Sequence, residues 1–351
     1  MMQSPLQFRG TSVDVHAIED ALAELRWKLR PDGHVDEAAE HAAAESRANV
    51  LNLVAVARSE ADQRQVSAML DRMSVHHPSR TLLLLAQTHR DTPKLEVTVS
   101  AFNDTSGPVR VSNEQVLIHA HGPVAEHLSG IVSELLVPDL PVMLWWQGRP
   151  DFEGRLFNEL CELCDRLIVD SDDGFDPDRD FPQLLNVARR DQARIAVGDF
   201  NWARLLPWRQ VAAQFFDQPS MREWLVALDR AEVWYSSKGT GAQARLLAGW
   251  LQSRLSRIGV DVKRVLHPID GADKGVHRLL LVAMGEDGEA TFTIEGKPEQ
   301  CLETAMAVRN YAYPQRNVRI QTRDSADLLS VEMIESGHDP IYEEALEAAA
   351  R

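Results

Sequence analysis

Short runs of almost unbroken apolar residues, each long enough to cross a sheet once, constrain this chain more than any other feature. Val50-Leu51-Asn52-Leu53-Val54-Ala55-Val56-Ala57 is one, and Thr81-Leu82-Leu83-Leu84-Leu85-Ala86 is a second. A strand without polar alternation is covered on both faces, which is the situation in parallel sheets layered by helices. Pro141-Val142-Met143-Leu144-Trp145-Trp146 and Arg166-Leu167-Ile168-Val169-Asp170 continue the series. Helical stretches separate them, at about 60–73, 123–136 and 153–164. Between the second and third runs the pattern changes. Leu95, Val97, Val99 and Ala101 alternate with Glu96, Thr98 and Ser100, one face buried and one wet. The turn from Asn103 to Pro108 then leads to a weaker strand around 115–120, so an antiparallel meander is set into βαβ units.

An opening helix is capped by Thr11 or Ser12, carries Ile18, Leu22, Leu25 and Leu29 at helical spacing, and stops at Pro31. Residues 35–48, rich in Ala and Glu, read as a solvated helix or loop. The rhythm breaks over 196–230. After that, strands resume at 231–236, 260–266, 278–284 and 290–294, with a helix over 242–257. The predicted architecture is α/β: two domains with mixed sheets flanked by helices, built on a shared β-α-β-β-β succession that suggests a duplicated unit. The boundaries are an N-terminal domain over 1–195, a helical junction over 196–230, and a C-terminal domain over 231–351. Glu343, Glu344 and Glu347 mark an acidic terminal helix, read as solvated.

With 351 residues, two such domains can each bury a full core unaided. The formal net charge of −16 disfavours nucleic acid and anionic membranes as partners. No apolar run reaches membrane-spanning length, the first ten residues lack an export signal, and three cysteines make no disulfide framework. These features place the chain in the cytoplasm.

Ser236-Ser237-Lys238-Gly239-Thr240-Gly241 follows a strand and opens a helix, where free N–H groups favour an anion such as a phosphorylated metabolite. A tight glycine turn that only starts a helix explains the same pattern. Cys161 and Cys164 have dithiol spacing but fall late in a helix, where buried thiols are the ordinary outcome and a redox pair the alternative. His119 and His121 share a strand face without a third ligand, and Asp170-Ser171-Asp172-Asp173-Gly174 reads as a polar turn. No hydrolase elbow, zincin or P-loop motif is present, and no cofactor or metal is implied. Trp145, Trp146 and Arg149 form one aromatic–arginine cluster, Trp202, Trp208, Arg204 and Arg209 another. Trp and Arg dominate protein–protein hot spots, although packing within the chain is the alternative for any one of them.

Three stretches carry a resemblance: His77-Pro78-Ser79-Arg80-Thr81, Asp139-Leu140-Pro141-Val142-Met143-Leu144-Trp145-Trp146 and Asp199-Phe200-Asn201-Trp202-Ala203-Arg204. Together with Arg47 and Val50-Leu51-Asn52-Leu53, they resemble the OpcA family, the glucose-6-phosphate dehydrogenase assembly proteins of cyanobacteria and actinobacteria, over about residues 10–330. The resemblance implies a non-catalytic partner that binds glucose-6-phosphate dehydrogenase, promotes its active oligomer and activates it. Trp145, Trp146, Arg149, Trp202 and Arg204 are then the expected shared surface or its immediate support. Some cyanobacterial members carry thioredoxin-responsive cysteines toward the C-terminus, where this chain has only Cys301. The rival expectation is a sugar-phosphate- or nucleotide-binding protein using the 236–241 turn.

Overall fold

The computed structural model describes residues 6–10, 14–28, 50–73, 78–87, 92–104, 111–190, 195–286, 288–334 and 337–351. The expected cap at Thr11 or Ser12, Leu29 and Pro31, the stretch 35–48, Arg47, His77 and the turn residues 105–108 lie outside them. Two compact units divide the chain. The first comprises Met1–Val169, Gln192–Ala196 and Met333–Ser336, and the second Asp170–Asp191, Val197–Glu332 and Gly337–Arg351.

In the first unit, β1 (Leu6–Gly10) and α1 (Val15–Lys28) precede β2 (Leu51–Ala57), α2 (Glu60–Met73), β3 (Ser79–Gln87), β4 (Lys94–Asp104) and β5 (Val111–His121). A 3-10 turn over Gly122–His127 leads to α3 (Leu128–Leu135), then β6 (Val142–Trp146), α4 (Arg155–Leu163) and β7 (Arg166–Val169). Next along the chain come α5 (Pro177–Ala188), which belongs to the second unit, and β8 (Ala196–Asp199), of which all but Ala196 belongs to the second. The sheet order is β1-β4-β5-β3-β2-β6-β7-β8. β5, β3, β2, β6 and β7 run parallel, while β4 is antiparallel to β5 and β1 to β4. Every residue of β2 is buried, as the unbroken apolar run demands. Its one polar member, Asn52, is satisfied by the loop beyond α3. The side chain donates to Val137 O at 3.0 Å and accepts from Val137 N at 2.9 Å.

A buried charge on β3 is neutralised locally. Arg80 donates to Glu114 on β5 at 2.8 Å, to Glu19 on α1 at 2.6 Å and to Leu135 O at 2.9 Å. One guanidinium thus ties β3 to β5, α1 and the end of α3.

In the second unit, α6 (Phe200–Arg204), α7 (Leu206–Gln214) and α8 (Arg222–Val226) precede β9 (Leu228–Ser236), α9 (Ala242–Ser256), β10 (Lys263–Ile269), β11 (Val276–Gly285), β12 (Gly288–Lys297) and β13 (Cys301–Val308). Short strands β14 (Tyr311–Ala312) and β15 (Arg316–Arg319) follow, then α10 (Ser325–Ile334) and α11 (Pro340–Ala349). The order is β10-β9-β11-β12-β13, with β14 and β15 both on β13, and only β9 and β10 are parallel. The shared succession is therefore present, but it is connected differently. In the first unit the later strands join the sheet beside β3, the second strand of the βαβ pair. In the second they join beside β9, the first strand of its pair.

The buried face of this sheet carries Val233, Leu279, Leu281, Phe292, Ile294 and Leu302. Phe215 and Phe216 pack on Phe292, with ring centroids 5.3 and 4.9 Å away. The acidic terminal stretch is not merely solvated: α11 buries Tyr342, Ala345, Leu346 and Ala349. Its other face pairs Glu344 with Arg254 and Arg257, and Glu347 with Arg189. Amphipathic spacing separates the glutamates from the buried residues. Gly249 on α9 lets this helix lie close, because a Cβ there would stand 2.3 Å from Ala345 O.

Candidate functional site

The Asp199–Arg204 stretch, the polar turn at Asp170 and the glycine turn after β9 converge within the second unit. Asp199 ends β8 and caps α6, its carboxylate accepting from Asn201 N at 2.9 Å and Ser171 N at 3.1 Å. Asn201 donates to Ser171 Oγ at 2.9 Å and accepts from Arg204 and from Gln243 of α9, both at 2.8 Å. Arg204 grips Asp170 with both terminal nitrogens, at 2.7 and 2.8 Å. Asp199 is fully buried, and its Oδ2 has no hydrogen-bond partner. Burial, reinforced by the charge of Asp170, pushes its pKa up to about 7 against the pull of hydrogen bonds from Ser171 and Asn201.

The glycine turn is already occupied by the chain itself. Thr240 N donates to Asp172 Oδ1 at 3.3 Å, and Thr240 Oγ1 donates to Ser171 O at 2.9 Å. A Cβ on Gly239 would stand 3.0 Å from that same Asp172 oxygen, while Lys274 pairs with the carboxylate from 3.5 Å. Gly241 adopts the left-handed φ of 76° that lets α9 start. Ser236 Oγ is spent on Ala272 O at 2.9 Å and Ser237 Oγ on Asp270 at 2.7 Å, which leaves Lys238 exposed. An incoming phosphate would have to displace or sit beside Asp172, a like charge at the helix start.

The aromatic–arginine residues divide between the units. In the first, Trp145 is buried and Trp146 half-buried, set edge-on to Phe157 at 5.2 Å, and Arg149 lies over Phe152 at 5.7 Å. In the second, Trp202 is buried and donates through Nε1 to Asp339 at 2.7 Å. Arg209 stacks 3.4 Å above its ring, and burial pushes that guanidinium pKa down to about 10. Each cluster is bonded inside its own unit.

Cys161 and Cys164 are both buried, and burial raises the Cys164 thiol well above its ordinary range, away from the reactive thiolate. Cys301 is half-buried on β13. His119 in the first unit bonds Gln63 beside a cavity of about 270 Å³ that Glu60, Arg64 and Glu96 also line. Burial lowers its pKa. Among the described residues, no group of three or more His, Cys, Asp or Glu is placed to hold a metal, and no helix is long and apolar enough to cross a membrane.

Sequence reasoning passed over one further constellation in the second unit. Trp234 on β9 stacks on His267 of β10 at 4.5 Å and 18°, and Arg278 of β11 covers Trp234 at 4.7 Å. These residues stand opposite one another in register, so they share the face turned away from Val233 and Leu279. That face is half-buried rather than sealed. The signal was available: in Ala290-Thr291-Phe292-Thr293-Ile294-Glu295 buried positions alternate with partly exposed ones.

A family model described as the glucose-6-phosphate dehydrogenase subunit N-terminal domain matches residues 70–186, and one described as that subunit's C-terminal domain matches 195–346. A candidate OxPP cycle protein OpcA from Synechocystis sp. is 31% identical over 192 residues, covering 54% of this chain and 39% of that protein. Its counterpart in Nostoc punctiforme is 32% identical over 188 residues, covering 53% and 39%. The matched stretch thus spans about two fifths of these relatives' length. The transcriptional regulator Gal80p of Kluyveromyces lactis superposes with a TM-score of 0.40 at 8% identity over 88% of this chain and 93% of that one, too remote to carry an argument.

Proposed function

The chain belongs to the OpcA family of glucose-6-phosphate dehydrogenase assembly proteins, and from that premise we propose that it is a non-catalytic partner of glucose-6-phosphate dehydrogenase. It works in the cytoplasm, in the oxidative pentose phosphate pathway, and promotes the enzyme's active oligomer. The observation that carries this reading is that the two family models, each named for a domain of that dehydrogenase subunit, together run from residue 70 to residue 346.

The site geometry supports docking rather than turnover. The best-organised polar cluster uses its groups on itself: Arg204 on Asp170, Asn201 on Ser171, and Thr240 on Asp172. Such a cluster fixes the shape of a surface and leaves little with which to move a proton on a substrate. In this reading Trp145, Trp146 and Arg149 brace the first unit, and Trp202 and the Arg204–Asp170 pair brace the second. Activation follows when the chain binds the enzyme's active conformation more tightly than the inactive one. A preference of about 1.4 kcal/mol shifts that balance tenfold.

The test is to mix the protein with purified glucose-6-phosphate dehydrogenase and follow molar mass by light scattering together with KM and kcat. A rise in mass with a lower KM or higher kcat is expected. If all three stay where they were for the enzyme alone, the reading is wrong.

A further inference from the structure

The open face of the second unit's sheet has an organisation that its own chain does not use. Arg278, Leu280 and Met284 stand along one side of β11 with the buried Val282 between the last two, and Met284 is 57% exposed. Across the register, Leu280 faces Thr293 and then Ala305, and Val282 faces Thr291 and then Ala307. Large side chains on β9, β10 and β11 therefore stand beside a shelf of small ones on β12 and β13. A flat apolar step of this kind, anchored by a stacked Trp and Arg, has the make-up of a protein-binding hot spot.

The charges on the face say what it fits. Glu232 is matched by Arg230 at 2.8 Å and His267 at 2.7 Å, and Glu295 and Glu303 share Lys297 at 2.6 and 3.1 Å. The cations Lys263, Arg278 and Arg319 have no ion pair among the described residues, against the one unpaired carboxylate Glu289 at the rim. Arg278 also buries its Nε without an acceptor. In a chain of net charge −16 this patch asks for carboxylates from outside. A second copy answers poorly. It would bring glutamates that are already neutralised, and it would carry the same −16.

We propose that this face, centred on Trp234, Arg278 and Leu280, is where the chain docks its dehydrogenase partner, which meets it with an apolar surface flanked by carboxylates. The proposal rests on the functional reading above and names the surface that the reading leaves open. Binding there is electrostatically assisted, so added salt weakens it.

The test measures Kd between the full-length protein and purified glucose-6-phosphate dehydrogenase for the wild type, Leu280→Arg, Arg278→Glu and Val226→Asp. Val226 is 62% exposed and lies outside the strands of this face. Circular dichroism and Tm accompany each variant, so that lost binding by a folded variant is told apart from unfolding. We expect Leu280→Arg and Arg278→Glu each to weaken binding at least tenfold, and Val226→Asp to stay within twofold. A wild type that binds, with both face variants within twofold of it, overturns the surface and leaves the functional reading standing. A wild type that does not bind at all overturns both. A wild type that sediments as a dimer, broken to monomer by Leu280→Arg, assigns the face to a second copy and also overturns the proposal.

Discussion

The two sheets handle their surfaces in opposite ways. β2 and the first seven residues of β3 are buried on both faces, and the single guanidinium in that layer, Arg80, is enclosed by Glu114, Glu19 and a carbonyl. On β9 and β11 Arg230, Glu232, Trp234, Arg278 and Leu280 are only half-covered, and Arg278 lies on an indole without a carboxylate. β2 and β3 form a closed layer whose one arginine is matched internally. The second sheet presents a platform. The difference follows from patterning, since unbroken apolar runs require two covered faces and alternating ones require only one.

The sharpest way to break that contrast is to truncate the two arginines. Arg80→Ala removes the guanidinium that faces the buried Glu114 and is expected to cost about 3–5 kcal/mol in urea unfolding. Arg278→Ala loses a partly exposed cation–π contact, about 1 kcal/mol or less. Equal costs would mean that the second face is sealed after all. Next in size are the leucines: Leu84→Ala, fully buried, should cost about 3 kcal/mol, and Leu280→Ala under about 1.5 kcal/mol, read from the shift in denaturation midpoint.

Asp199 refines the picture of the second unit, because its rigid side is held by a carboxyl that burial keeps protonated up to about pH 7. A carboxyl whose pKa is raised on folding favours the native state fully below its unfolded value near 4, and that advantage fades as pH climbs to about 7. Asp199→Asn retains an oxygen acceptor for Ser171 N and Asn201 N without the charge. It should stabilise the protein by roughly 2 kcal/mol at pH 8, with the difference from wild type shrinking toward pH 4. A pH-independent difference would place the cost elsewhere. The smallest expected effect belongs to Thr240→Val, which removes the hydroxyl bond to Ser171 O and should cost about 1 kcal/mol.

Much of the fold was legible in the sequence because burial dictates periodicity. The runs at 50–57, 141–146 and 166–170 each contain a strand, that at 81–86 lies within β3, and the alternation at 95–101 lies in β4. Element ends were less so. The helix expected over 123–136 is a 3-10 turn followed by α3, with Pro123 inside the turn. The order of strands was not legible either, because the same β-α-β-β-β succession places later strands beside β3 in one unit and beside β9 in the other, and local pattern does not encode which. At the candidate site, the glycine turn and the Asp199–Arg204 stretch could each be recognised alone. Their meeting through Asp172, Asn201 and Gln243 could not, since it joins residues up to 68 positions apart. The Trp234 stack escaped for the same reason: its members come from three strands, and none is conspicuous by itself.

Gly249 has a consequence for how the molecule is made. With no side chain there, α9 accepts the backbone of α11 at a distance only a hydrogen atom permits, and Tyr342 and Leu346 seat themselves fully inside. The interior of the second unit is therefore unfinished until α11, which begins 91 positions after Gly249, has been synthesised. Until then a furrow along α9 stays wet.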